Sequence, residues 1–116
     1  MVSVIVTTYN NRDKLRCVLH ALNAQVESRF EVIVVDDGSR PDTREMVEHF
    51  QSIANYPLRL IWQPDCGFRA ARCRNLGLRA ASGDYMVFLD GDCVPQSRFI
   101  QQHIALAQSG FFVSGN

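Results

Sequence analysis

The apolar positions of this chain fall into short β-branched runs separated by stretches of helical periodicity. Val2–Thr8 is the first run. Asn10 or Asn11 can cap a following helix, because an asparagine side chain accepts from orphan amides, and Asp13 in the first turn suits the helix dipole. Leu15, Val18, Leu19 and Leu22 then recur at i, i+3, i+4 and i+7, a single apolar stripe. Phe30–Val35 is a second buried strand and ends in Asp36-Asp37-Gly38-Ser39. Ser39 followed by Pro41 marks a helix start, with Met46, Val47, Phe50 and Ile53 as its inner face. Leu58–Trp62 is a third strand, and a helix from about Arg69 to Ala81 closes at Gly83. Tyr85–Leu89 is the fourth strand, Pro95 to about Gln108 the next helix, and Phe111–Val113 begins a fifth strand.

Strand-helix alternation with nearly continuous apolar strands predicts a parallel sheet covered on both faces. The expected fold is therefore α/β, a doubly wound, mostly parallel sheet with helices on both faces. In such a sheet the loops after successive strands share one edge. Thr7–Asn10, Asp36–Ser39, Pro64–Arg69 and Asp90–Cys93 can converge there, where open α/β sheets bind ligands.

With 116 residues the chain is long enough for a single domain over 1–116. Twelve basic and twelve acidic side chains cancel, so no bulk charge argues for nucleic acid or an anionic membrane. No stretch approaches the ~18 consecutive apolar residues of a membrane span. The opening Met1-Val-Ser-Val-Ile-Val lacks the basic region and cleavage site of a secretory signal. Cys17, Cys66, Cys73 and Cys93 form no Cys-x-x-Cys pair and have no histidine at metal-ligand spacing. They are expected to be reduced thiols in a cytoplasmic protein, one that could sit at the inner face of a membrane. His20, His49 and His103 fall in helical segments away from the loop edge and read as surface or satisfied histidines.

Asp90-Gly91-Asp92 carries the sharpest chemistry. Two carboxylates one residue apart at the mouth of a buried strand repel unless a cation sits between them. Hard divalent ions such as Mn²⁺ and Mg²⁺ take oxygen ligands and leave positions for a substrate's phosphates. The plain alternative is an acidic turn, since Asp-Gly is a common turn pair. Asp36-Asp37 could accept hydrogen bonds from a ribose hydroxyl or a base N–H, or Asp37 or Ser39 could cap the next helix. Gly38 would allow a tight turn there. Tyr9 could stack on a base or be a half-buried core tyrosine. Arg69, Arg72 and Arg74 offer forks suited to phosphate oxygens, or form a solvated face. Arg69 and Arg72 share one helix face and Arg74 points elsewhere. Asn75 and Gly77 read as a packing or hydrogen-bonding pair within that helix.

Together these segments resemble the family 2 glycosyltransferases, whose nucleotide-sugar-binding GT-A fold is Rossmann-like. Val2-Ser-Val-Ile-Val-Thr-Thr-Tyr9-Asn10 and Glu31-Val-Ile-Val-Val-Asp36-Asp37-Gly38-Ser39 resemble the family's first two strands and turns. Arg74-Asn75-x-Gly77, Ala81-x-Gly83-Asp84-Tyr85 and Phe88-Leu89-Asp90-Gly91-Asp92 follow its middle section in order. The resemblance implies that Thr7 and Tyr9 border the base, with Tyr9 stacking on it, and that Asp37 bonds the base edge, most often a uracil. It implies Asp90 beside the ribose and metal, and Asp92 as direct ligand of Mn²⁺ or Mg²⁺. Arg72 is the preferred base or phosphate neighbour.

The family inverts the anomeric centre with a carboxylate base that deprotonates the acceptor hydroxyl. That base lies beyond the metal motif. Here 24 residues follow Asp92 and none is Asp or Glu. The expectation is therefore a donor-binding N-terminal part, truncated after about five strands, with no catalytic residue of its own. Its partners would be a nucleotide-sugar donor, UDP-linked by preference, and a glycan or lipid-linked acceptor met through the missing region. Two competing readings remain: a non-catalytic nucleotide-sugar-binding module, and a haloacid-dehalogenase-like phosphatase using Asp90-x-Asp92-x-Val94. A dinucleotide dehydrogenase is disfavoured because no Gly-x-Gly-x-x-Gly follows the first strand.

Overall fold

The structure, a computed structural model, describes residues 1–64 and 70–106. It contains β1 (Val2–Thr8), α1 (Arg12–Asn23), β2 (Phe30–Asp36), α2 (Pro41–Phe50), β3 (Leu58–Trp62), α3 (Ala70–Ala80), β4 (Tyr85–Asp90) and α4 (Phe99–Leu106). The expected fifth strand, the loop 65–69 and the end of the last expected helix lie outside the described residues.

All three strand pairings are parallel, in the order β3-β2-β1-β4. Alternate side chains of the strands feed two cores, as the period of a pleated strand requires. Val2, Val4 and Val6 join Val32 and Val34 under the apolar stripe of α1, the inner residues Val47 and Phe50 of α2, and Ile100 of α4. Ile5, Ile33 and Val35 face the other way, against Cys73, Leu76 and Ala80 of α3. Helices thus cover both faces, as the unbroken apolar strands foretold. The fit beneath α3 depends on Gly77, where an added Cβ would collide with Ile5 Cγ2 and come within 3.2 Å of Val35.

The second core carries one buried charge. Glu31, opposite Ser3 in the β1–β2 register, accepts from Ser3 Oγ at 2.6 Å, from the Ser82 amide at 2.6 Å and from Arg59 at 3.1 Å. Burial pushes the Glu31 carboxyl up, but those donors and the Arg59 charge overcome it and hold the group below its ordinary value. The arrangement ties β1, β2, β3 and the α3–β4 turn together at the end of the sheet away from the loops.

Several element ends differ from the sequence expectation, each for a local reason. Ser39 does not cap α2: Arg40 is the residue that precedes Pro41, in extended conformation, and Ser39 Oγ accepts from Asn10 N instead. Ile53 lies beyond the end of α2 and is half exposed. Asn11 stands at the start of α1 without a side-chain cap, its carbonyl accepting from Leu15 N at 3.0 Å. The helix expected from Pro95 begins at Phe99. Gln25 and Val26 bond the backbone of Gln96 and Ser97, and Gln25 Oε1 accepts from Ile100 N at 3.1 Å.

Candidate functional site

The chain steps from β1 to β2 to β3 in one direction, and α3 then carries it back to the far side of β1. Strand order therefore reverses between β1 and β4. In open α/β sheets, ligands bind in the crevice outside the carboxyl ends of the strands at such a reversal. A cleft of about 340 Å³ opens there, and Thr7, Tyr9, Asp37, Arg74, Asp90 and Asp92 line it.

Backbone pairing builds the cleft. Thr7 stands opposite Asp90 and Thr8 opposite Asp36 in the ladder. Beyond the ladder, the Thr8 carbonyl accepts from Asp37 N at 3.0 Å and the Thr7 carbonyl from Gly91 N at 2.8 Å. Gly91 is buried in that approach: a Cβ would sit 2.8 Å from the Thr7 carbonyl oxygen and 3.1 Å from Thr8 Oγ1. A side chain there would push the Asp90–Asp92 turn off the end of β1. Tyr9 is about half exposed, its ring at the cleft.

The turn after β2 is tightly built. Gly38 takes a left-handed φ of 86°, a conformation that costs glycine little. Asp36 is fully buried. Its Oδ1 accepts from Ser39 N at 2.9 Å and from the Ser39 hydroxyl, and Ser39 Oγ in turn accepts from Asn10 N at 2.7 Å. The Asn10 side chain accepts from Arg40 N at 2.8 Å while its own backbone takes a φ of 45°. Burial raises the Asp36 carboxyl above its ordinary range, only partly opposed by the Ser39 bonds. Asp37 alone of the pair lines the cleft, where Gln63 Nε2 donates to its Oδ1 at 2.5 Å.

At the β4 end, donor atoms of Asp90, Asp92 and Cys93 all lie within 4.8 Å of one another, and all three side chains are exposed. Burial, reinforced by the charges of Asp92 and Asp90, pushes the Cys93 thiol up. Asp90 and Asp92 offer carboxylate oxygens as donors there. Paired carboxylate oxygens fit a hard divalent ion such as Mn²⁺ or Mg²⁺.

The structure brings Thr7, Tyr9, Asp37, Asp90 and Asp92 to one cleft. It does not bring Arg72, which is exposed and absent from the lining; Arg74 occupies that place. The sheet-facing stripe of α3 runs through Cys73, Leu76, Gly77 and Ala80. Arg72 and Arg74 flank Cys73 on opposite sides, about 100° away each. Only the direction in which α3 crosses the sheet decides which flank meets the cleft. Arg69 lies outside the described residues. Gln63, at the end of β3, carried no sequence signal. A second cleft of about 440 Å³ adjoins the first across Thr7, Arg74 and Asp90, and exposes Phe88 and Val94. No helix among the described residues is long and apolar enough to cross a membrane.

Comparison with known proteins agrees with this geometry. The model of glycosyl transferase family 2 matches residues 3–116. Chondroitin synthase of Escherichia coli is 37% identical over 105 residues, which cover 90% of this chain and 15% of that protein. S. aureus TarS 1–349, solved in complex with UDP-GlcNAc, superposes with a TM-score of 0.80 at 30% identity, covering 90% of this chain and 30% of that one. The mannosyltransferase PcManGT of Pyrobaculum calidifontis, solved with GDP-Man and Mn²⁺, gives a TM-score of 0.83 at 28% identity, with coverages of 93% and 32%. The chain therefore spans less than a third of the length of each of these proteins. Its sheet has the GT-A architecture of these neighbours, and the chain belongs to glycosyl transferase family 2.

Proposed function

We propose that residues 1–116 are the donor-binding domain of a longer, metal-dependent, inverting glycosyltransferase. The observation that carries this reading is the convergence of an exposed aromatic ring, an anchored carboxylate, an arginine and a carboxylate pair around one cleft at the strand reversal. Tyr9 stacks on the nucleobase, worth ~1–3 kcal/mol by analogy with aromatic base platforms. Asp37 accepts from a base N–H, and Thr7 borders the ribose and base. Arg74 takes the phosphate-side role first expected of Arg72, its guanidinium balancing diphosphate charge. Asp92, with Asp90 beside it, holds the divalent ion, Mn²⁺ or Mg²⁺. When bound, that ion neutralises charge building on the departing nucleoside diphosphate.

TarS and PcManGT were solved with UDP- and GDP-linked sugars respectively, and uracil suits the single carboxylate at Asp37. The general base that activates the acceptor lies outside residues 1–116, because no Asp or Glu follows Asp92. The fragment alone is then a binding domain without turnover, working in the cytoplasm on a glycan or lipid-linked acceptor. Isothermal calorimetry tests the reading. UDP should bind the folded chain with Mn²⁺ or Mg²⁺ and lose most of its affinity with EDTA; absence of UDP and GDP binding with either ion would overturn it.

A further inference from the structure

The side chain of Gln63 is buried, 4% exposed, at the point where β3 ends. Its backbone amide donates to the Asp36 carbonyl at 3.0 Å, which fixes its origin beside the acidic turn of β2. Its side-chain nitrogen donates to Asp37 Oδ1 at 2.5 Å and to Cys73 Sγ at 3.2 Å. A carboxylate only accepts, so the amide must present nitrogen, not oxygen, to Asp37. That orientation leaves Gln63 Oε1 buried with no hydrogen-bond partner. Buried unsatisfied acceptors are rare in folded proteins, and each calls for a reason. Here the fold tolerates one at the place where it directs an amide N–H onto a cleft carboxylate.

We infer that Gln63 is a positioning residue for nucleobase recognition: it holds the Asp37 carboxylate in the orientation that reads the base edge. The inference rests on the donor-binding role proposed for Asp37. With Asp36 walled off by Ser39, Asp37 is the carboxylate of this turn that lines the cleft. Asp37 N is bonded to the end of β1 and Asp37 Oδ1 to the end of β3, so three strand ends fix one side chain.

The test is a double-mutant cycle on the intact chain, with UDP titrated calorimetrically in the presence of Mn²⁺. Gln63→Met keeps the volume and removes the donor; Gln63→Glu keeps the shape and sets a carboxylate against Asp37. Each should weaken UDP about tenfold, a change near 1.4 kcal/mol, and leave affinity for Mn²⁺ alone unchanged. Added to Asp37→Ala, either change should have no further effect, because Gln63 acts through Asp37. Additive losses in the double variants, or full UDP affinity in both single variants while Asp37→Ala binds weakly, would overturn the inference. Full UDP affinity in Asp37→Ala would instead overturn the role of Asp37 itself. Thermal unfolding of each variant identifies any that fails to fold, and the other then carries the test.

Discussion

The acidic turns after β2 and β4 use the same residues to opposite ends. Asp36 is inaccessible to solvent, and Asp37 is 7% exposed with an amide donor on its carboxylate. Asp90 and Asp92 are both exposed at the surface. Their neighbours in the sheet account for the contrast. β2 has β1 on one side and β3 on the other, so the turn at its end is walled in; β4 has only β1 beside it among the described strands. A carboxylate with fixed donors can read the direction of a ligand's N–H. A pair of solvated carboxylates has little shape of its own and favours whatever cation neutralises it.

The largest break in this contrast should come from Asp92→Ala. It should weaken Mn²⁺-dependent UDP binding at least about 100-fold, near 2.7 kcal/mol, while the thermal unfolding midpoint stays where it was. Calorimetry and a melting curve on the same sample check both halves. Asp36→Ala should do the reverse. Leaving Ser39 N and its hydroxyl without their acceptor should cost about 1–3 kcal/mol of stability, measured by urea unfolding. An equal effect of the two changes on stability would erase the distinction between the turns.

A smaller effect sharpens the comparison through pH. Burial raises the folded Asp36 carboxyl above its ordinary 3.8. Its contribution to stability is therefore complete below that ordinary value and fades as pH rises through the folded one. Asp36→Asn keeps an oxygen for Ser39 and deletes the titration. The variant should thus gain relative to the parent chain between acid and neutral pH, as read from urea midpoints across that range. A constant gap across the range would mean that Asp36 titrates as it does in the unfolded chain.

The difference in burial between the turns was not legible in the sequence, although they were expected to do different work, Asp37 at a base edge and Asp90-Gly91-Asp92 at a metal. Each closes an apolar run with acid and glycine, and strand order alone buries one and exposes the other. What periodicity could reach, it reached well. The stripe Leu15, Val18, Leu19, Leu22 is buried throughout, and Leu58–Trp62 is a strand at the expected bounds. Side chains pinned by one local choice were harder. Ser39 had the composition of a cap, but Arg40 takes that position and Ser39 Oγ accepts from Asn10 N, a residue 29 positions away. Arg72 was preferred over Arg74 from the sequence, but the crossing of α3 sets Arg74 toward the cleft. Gln63 was invisible, since a lone glutamine after a strand acquires meaning only from the carboxylate that folding brings beside it.

The carbonyls of Thr7 and Thr8 have a consequence for motion. One accepts from Gly91 N and the other from Asp37 N, so each acidic turn hangs by its first amide from the final peptides of the same central strand. Asp90 and Asp92 can sample solvent freely, yet the backbone of either turn can move away only if the end of β1 lets go. Opening at either turn is thereby linked to an inner strand of the sheet, and the spacing between the two turns is a property of the apo chain. A nucleotide arriving at this cleft would meet a gauge already set between these two turns.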